Sequence, residues 1–251
     1  MKINTKCLLT LAAVALSAPL TNAAISVTGT SANILEDLDN NGAYTNTISD
    51  WSLSGGNTVV VYFSGENTTG MTAKYGTQDL IVVQGVNGTT GNDHISAIAY
   101  IINPTLSTAD LAVSWAAGGN SENMITAISL GGVGSVVASD STNTGNLSFG
   151  YTTTLDGGFV VGSASNNNFQ GNSPTVSSSN LDTDVFNGAI SGNSSAINTY
   201  GVIDLAGTYT DTYSGGLVGS SVVFEAAAIP EPSSTALLGL GGLALILRRR
   251  R

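Results

Sequence analysis

The sequence predicts an all-β protein whose body is an antiparallel β-sandwich of jelly-roll or immunoglobulin-like type. Short runs of β-branched and aromatic residues recur along the chain, and clusters of Gly and Asn separate them. Lys, Glu and Arg, which commonly populate helix surfaces, are scarce between the two ends of the chain. Many short strands with such turns between them favour a sandwich over a helical or mixed fold.

Ten runs carry the strand signal. In residues 111–115 the large apolar side chains Leu111, Val113 and Trp115 fall on one face of an extended chain. Residues 166–180, where Asn and Ser dominate, are predicted to be a long loop. The predicted strands cover residues 58–63, 80–83, 95–102, 111–115, 124–130, 135–138, 147–151, 159–161, 200–205 and 217–224.

A β-solenoid and a disordered chain are the alternatives to a sandwich. A solenoid also favours Gly, Asn and Thr, but no period of about 20–30 residues holds across the body. A high net charge with polar tracts favours disorder, which the Val- and Ile-rich runs oppose. Because no Pro-rich linker divides the body, we expect one domain over residues 24–225.

Charge is distributed very unevenly along the 251 residues. Six of the seven Lys and Arg residues lie at the two ends, which leaves Lys74 as the one basic residue between Ala24 and Glu225. This stretch holds 16 of the 17 acidic residues, so its net charge is −15. Because phosphate binding needs Lys and Arg, nucleic acid is excluded as a direct partner of the body. Stable docking on an anionic lipid surface is excluded for the same reason.

Residues 1–23 have the three parts of a secretory signal peptide. Lys2 and Lys6 form the positive region, residues 8–20 are the apolar region, and residues 21–23 provide the small side chains of a cleavage site. The secretion translocon and signal peptidase are the partners that such a segment requires. Cleavage removes Cys7, the single cysteine, so we expect a mature chain without disulfides.

Residues 226–251 combine a proline motif, an apolar stretch and a basic end. The apolar stretch is short for a membrane span, but residues 232–247 are expected to form one transmembrane helix. A basic cluster marks the cytoplasmic side of a membrane, which places the body outside the inner membrane. The motif is Pro230, Glu231 and Pro232, and the basic end is Arg248, Arg249, Arg250 and Arg251.

This three-part tail resembles the PEP-CTERM sorting signal of exported bacterial proteins, and it covers about a tenth of the chain. The resemblance implies recognition and processing by an exosortase near the Pro-Glu-Pro motif, in a bacterium that makes extracellular polysaccharide or biofilm matrix. It implies anchoring in the inner membrane before processing, followed by delivery to the cell surface or the extracellular matrix. Because the family is defined by the tail, the resemblance gives the destination of the body and not its role.

The body shows no catalytic signature, so we expect that the protein is not an enzyme. A Ser-His-Asp triad would have to use His94, which we interpret as a turn histidine that leads into a strand. One histidine without cysteine cannot supply three zinc ligands. The many acidic residues leave open a pair of carboxylates that would hydrolyse a glycan.

The acidic segment around residue 39 is the candidate metal site. Asp37, Asp39 and Asn41 occupy positions 1, 3 and 5 of a calcium-loop pattern, in which oxygen ligands alternate along a tight turn. Ile48 stands where an EF-hand loop has its bidentate Glu, so a solvated acidic turn is the alternative. No other cofactor is expected.

An exported, non-enzymatic protein with a structural or adhesive role is the function that these features predict. A carbohydrate-binding module for matrix polysaccharide is the first alternative. Its sugar platform would be Trp51, which lies in polar surroundings, with Tyr44, Tyr62 and Tyr75 in support. Trp115 is expected in the core. A glycan hydrolase with a carboxylate pair is the second alternative.

Overall fold

The structure is a computed structural model, and it describes residues 24–38, 42–87, 94–118, 121–143, 147–166, 174–190 and 194–228. These residues form strands, and no helix among them is long and apolar enough to cross a membrane. The strands are β1 (Ser26–Thr30), β2 (Ile34–Leu38), β3 (Gly42–Ser52), β4 (Thr58–Glu66), β5 (Thr68–Tyr75), β6 (Gln78–Asp79), β7 (Ile81–Asn87), β8 (His94–Ile102), β9 (Thr108–Ala117), β10 (Ser121–Gly131), β11 (Val133–Thr142), β12 (Leu147–Thr153), β13 (Gly158–Asn166), β14 (Thr175–Ser177), β15 (Thr183–Ala189), β16 (Ser195–Ile203), β17 (Gly207–Ser214) and β18 (Val218–Ala226).

The strands pair into four antiparallel sheets within one compact unit, Ala24–Ala227. The first inner sheet has the order β1-β10-β4-β8-β7, with β2 also paired to β10, and the first outer sheet has the order β3-β9-β5-β6. The second inner sheet has the order β11-β18-β13-β16-β15, and the second outer sheet has the order β12-β17-β14. The predicted all-β, antiparallel sandwich architecture is confirmed.

Alternating side chains of β4 and β13 define how the sheets stack. Val61 of β4 packs into a core shared with the first outer sheet, whereas its neighbour Tyr62 packs against the second inner sheet. In β13, Val161 faces the first inner sheet, and its neighbour Val160 faces the second outer sheet. The unit is therefore a stack of four layers, outer, inner, inner and outer, and both inner sheets are covered on both faces.

The two sandwiches have the same strand order. In the first inner sheet β4 lies between β10 and β8, and in the second β13 lies between β18 and β16. The β4–β8 and β13–β16 pairs are both nine-residue antiparallel ladders. The first begins with Thr58 opposite Ile102, and the second begins with Gly158 opposite Ile203. In the outer sheets, β9 and β17 are the corresponding central strands. The repeat spans about one hundred residues, far longer than the solenoid periods of about 20–50 residues.

The seam between the inner sheets is apolar at one end and polar at the other. Tyr100 and Phe224 meet edge to face at 5.6 Å in the apolar part. In the polar part, the Ser96 hydroxyl donates to Ser163 Oγ at 2.8 Å, and the Ser165 hydroxyl donates to the Ile95 carbonyl at 3.1 Å. All of these side chains are buried, so hydroxyl pairs as well as apolar contacts join the two sandwiches.

All ten predicted runs overlap strands, with two local differences. The run 200–205 extends past the end of β16 at Ile203, and the predicted loop 166–180 contains β14. The prediction missed the strands β1, β2, β3, β5, β6, β14, β15 and β17. These are mainly edge or outer strands in which polar side chains face solvent, so their sequences carry few large apolar residues.

Candidate functional site

A shallow groove of about 500 Å³ crosses the first outer sheet. Thr45 and Ser114 lie on neighbouring strands in it, and their hydroxyl oxygens are 2.7 Å apart. None of the residues that line the groove carries a charge, although the body has a net charge of −15. The lining residues, here called the groove face, are Ala43, Tyr44, Thr45, Gly70, Met71, Thr72, Gln84, Ser114, Trp115 and Ala116.

Aromatic packing supports the groove face from below. The ring of half-buried Tyr44 stacks on Trp115 at 6.2 Å, and Trp115 contacts Phe63 of the inner sheet at 5.4 Å. The Met71 amide donates to Gln84 Oε1 at 3.1 Å, which ties β5 to β7. Because Trp115 is buried in the first core, as its alternation predicted, the floor of the groove is firmly held.

The structure places the other proposed sugar-stacking residues away from the groove. Trp51 lies at the far end of β3 from Tyr44, partly buried against the first core, with a buried indole nitrogen. Tyr62 is fully buried in the seam and donates to the Thr199 carbonyl, and Tyr75 is buried and donates to the Trp51 carbonyl at 2.8 Å. Of the three supporting tyrosines, only Tyr44 lines the groove. A stacking role for Trp51 stays a prediction.

The second outer sheet presents a regular array of hydroxyl groups to solvent. Its strand β17 exposes Thr208, Thr210 and Thr212, while Tyr209, Asp211 and Tyr213 point inward. Thr152 of β12 pairs with Thr208, and their hydroxyl oxygens are 3.0 Å apart. These side chains form the hydroxyl face, defined as Ser148, Thr152, Thr175, Ser177, Thr208, Thr210, Thr212 and Ser214.

A buried acidic cluster lies at the polar end of the seam. Glu66 is 5% exposed and Glu122 is 6% exposed, and their carboxyl groups share a hydrogen bond. Burial, followed by the nearby Glu122 carboxylate, raises the pKa of Glu66 from 4.5 to about 7. The Ser194 hydroxyl, which the second sandwich contributes, donates to Glu122 Oε2 at 2.9 Å. The hydrogen bond from Ser194 to Glu122 therefore joins the two sandwiches at this cluster.

Sequence reasoning gave no sign of this cluster. Glu66 and Glu122 are 56 positions apart and meet only because β4 pairs with β10, with Gly65 opposite Asn123. His94 is the first residue of β8, opposite Glu66, and is fully buried, so its interpretation as a turn histidine was wrong. Glycosidase carboxyls lie about 5–10 Å apart with room for substrate. A pair that shares a hydrogen bond does not have that spacing.

A second buried acid lies in the core between the second inner and outer sheets. Asp211 is fully buried, and burial raises the pKa of its carboxyl. Its Oδ1 accepts hydrogen bonds from the hydroxyls of Ser178 and Tyr151, and Asn180 donates to the Tyr151 oxygen at 3.0 Å. This network attaches the segment after β14 to strand β17.

The proposed calcium ligands are only partly covered by the structure. Asp37 lies in β2 with its backbone opposite Glu122, whereas its side chain, Asp39 and Asn41 lie outside the described residues. No group of three or more His, Cys, Asp or Glu side chains that could hold a metal ion occurs in the part of the chain that the structure describes. Calcium binding stays a prediction.

The comparisons with known proteins bear on the C-terminal tail. Residues 228–251 match the family model of the PEP-CTERM protein-sorting motif. The tail is a PEP-CTERM protein-sorting motif. This motif implies exosortase-dependent export of a surface protein, with exosortase as the processing partner and anchoring at the membrane before processing. Its residues Pro230, Glu231, Pro232 and Arg248 to Arg251 lie outside the described residues. The predicted helix 232–247 and the predicted signal peptide 1–23 also lie outside them, and both stay predictions.

No curated protein matches this chain. Among solved structures, it is 10% identical to the VP2 subviral particle protein of infectious bursal disease virus, over 92% of this chain and 51% of that one, with a TM-score of 0.28. The chain thus spans about half the length of VP2. A chain of the X-ray structure of melon necrotic spot virus is 9% identical over 80% and 99% of the two chains, with a TM-score of 0.18. The PBSX exported protein XepA is 9% identical over 82% and 88%, with a TM-score of 0.19.

Proposed function

We propose that the body is a non-enzymatic structural or adhesive module, which export delivers to the cell surface or the extracellular matrix. The observation that carries this proposal is the duplicated four-layer stack, in which both inner sheets are buried on both faces. The buried polar groups in this stack have structural partners: Glu122 accepts from Ser194 of the second sandwich, and Asp211 accepts from Ser178 and Tyr151. The groove face is shallow, and none of its lining residues is charged.

Fractionation of the native cells tests this proposal. We expect the protein in the matrix or on the cell surface, with mass spectrometry giving termini near residue 24 and near Pro230. Deletion of its coding sequence should weaken cell attachment or matrix cohesion, and re-expression of the full chain should restore it. A matched variant with Pro230→Ala and Pro232→Ala should leave the body folded but unsorted. Normal attachment and cohesion in the deletion strain would contradict the proposal.

Binding of an uncharged polysaccharide is a second candidate function, and the groove face supports it. The groove combines the hydroxyl groups of Thr45, Thr72 and Ser114, and none of its lining residues is a carboxylate. Sugar hydroxyls exchange hydrogen bonds with such groups, and a charged polymer gains nothing from them. We therefore expect the polysaccharide that binds in this groove to be uncharged.

Retention of the full chain on immobilised amylose, dextran and cellulose tests the second candidate. Thr45→Val with Ser114→Ala removes two hydroxyl groups, each worth about 1 kcal/mol, so we expect affinity to fall roughly 30-fold. Thr45→Ser keeps the hydroxyl and should bind like the wild type. Equal retention of all three proteins would show that the groove face is not the binding site.

A further inference from the structure

The duplication of the sandwich gives the body two outer sheets whose outer surfaces point in opposite directions. The first outer sheet and the second outer sheet are the outermost layers of the stack, with both inner sheets between them. Stacked sheets lie about 10 Å apart, so about 30 Å separate the groove face from the hydroxyl face. A ligand on one face therefore leaves the other face accessible.

Both faces have the same chemistry. The groove face pairs Thr45 with Ser114 across β3 and β9, and the hydroxyl face pairs Thr152 with Thr208 across β12 and β17. These are corresponding strand pairs of the two sandwiches. On the hydroxyl face the threonines of β17 repeat at every second residue, about 6.7 Å apart. On the groove face Thr45, Ser114 and Thr72 lie on three strands, with neighbouring strands about 4.8 Å apart.

Charge selects the kind of ligand that these faces accept. The body has 16 acidic residues and a net charge of −15, yet no residue of the groove face or the hydroxyl face is acidic. The acids of the first outer sheet, Asp50, Asp79 and Asp110, lie outside the groove face. Asp211 is the one acid on β12, β14 and β17, and it points into the core. An anionic polymer would meet the repulsive field of the whole body, whereas a neutral polyhydroxyl polymer would meet only hydrogen-bonding groups.

We propose that the stack is a bivalent cross-linker, which holds one uncharged polysaccharide chain on the groove face and a second on the hydroxyl face. This inference rests on the polysaccharide binding proposed above and adds a second site and a geometry. Two weak sites on one rigid body give an avidity that neither has alone, because the second contact is made at high effective concentration. The adhesive role would then follow from joining polymer chains.

A bridging assay tests this inference with the full chain in detergent. Beads carry amylose, dextran or cellulose, and we measure how much fluorescent dextran or soluble amylose the bound protein captures. One variant changes the groove face (Thr45→Val with Ser114→Ala), and another changes the hydroxyl face (Thr210→Val with Thr212→Val). The controls carry Thr45→Ser or Thr210→Ser, and beads with anionic alginate are the charge control.

The wild type should bind the beads and capture the soluble polymer. Each single-face variant should bind the beads more weakly, because its remaining face lacks the avidity of two sites, and should capture roughly tenfold less polymer. The variant with both changes should lose bead binding. The Ser controls should bridge like the wild type, and alginate beads should retain little protein.

The outcomes separate the inference from the function on which it rests. Retention without bridging by the wild type would overturn bivalency and leave polysaccharide binding intact. Failure to bind any neutral polymer would overturn both. Sedimentation equilibrium of the free wild type should give a monomer. A dimer that the hydroxyl-face variant abolishes would show instead that this face binds a second copy of the chain.

Discussion

Glu66 shows how burial and pairing set the properties of one side chain. Its carboxyl lies at the polar end of the seam, covered by the second sandwich and hydrogen-bonded to Glu122. Water cannot solvate the charge there, and the Glu122 carboxylate disfavours it further, so the folded protein holds a proton on Glu66 up to a pKa of about 7. The unfolded chain releases that proton near pH 4.5, so ionisation opposes folding.

Glu66→Gln should therefore change how stability depends on pH. A raised folded pKa means that the stability from this group is fully present below about pH 4.5 and is lost as the pH rises to about 7. We expect the free energy of unfolding of the wild type to fall over that window by up to about 3 kcal/mol. Glu66→Gln should flatten this fall, as urea denaturation at pH 5 and pH 8 would measure.

Asp140→Asn removes an exposed carboxylate and is the matched control for charge. It should retain the pH dependence of the wild type. A Glu66→Gln protein whose stability still falls between pH 5 and pH 8 as in the wild type would show that Glu66 does not titrate in this window.

At the scale of strands, β7 depends on a glycine for its contact with the second sandwich. A Cβ atom on Gly85 would lie 2.6 Å from the Thr142 carbonyl oxygen and 2.8 Å from that of Gly219. Both neighbours are backbone atoms in β11 and β18, which sheet hydrogen bonds hold in place. The absence of a side chain at this position therefore lets the inner sheets approach closely.

Gly85→Ala should destabilise the protein by about 1–3 kcal/mol, because the added methyl group must push two paired strands away. Chemical denaturation measures this loss. Gly150→Ala in the exposed part of β12 is the matched control, since its Cβ would meet only the Tyr209 carbonyl at 4.0 Å. We expect that control to be neutral or slightly stabilising. Equal stabilities for the two variants would contradict the proposed close approach at β7.

Strand prediction from the sequence succeeded where both faces or one full face of a strand is apolar. β4 contains a continuous apolar run, as expected for a strand covered on both sides, and β9 alternates. β17 was missed because its outward residues are threonines and one inward residue is Asp211. The threonines at 208, 210 and 212 alternate with period two, and that pattern was the available signal for both the strand and the hydroxyl face.

At the scale of the molecule, the continuous seam should make the two sandwiches unfold together. Both tryptophans, Trp51 and Trp115, lie in the first sandwich, so tryptophan fluorescence reports on that half alone. Phe149 is buried in the core of the second half. A substitution that destabilises the second half changes the unfolding curve seen by tryptophan fluorescence only if the seam couples the unfolding of the two halves.

Phe149→Ala should lower the free energy of unfolding by about 3–5 kcal/mol. The denaturation midpoints measured by fluorescence and by circular dichroism should fall equally. Phe63→Ala in the first core is the matched control and should give the same coincident shift. A fluorescence midpoint that Phe149→Ala leaves unchanged, with a biphasic dichroism curve, would show that the sandwiches unfold independently.

The sequence by itself determined the sorting motif, the all-β class and the charge pattern, because each of these is written in local composition or spacing. It contained no local sign of the duplicated stack, the seam or the Glu66–Glu122 pair. These arise from which strands pair and which faces meet, and long-range register decides both. Period-two alternation tells which side chains share a face, but only the tertiary structure decides whether that face meets solvent, one sheet or a second sandwich.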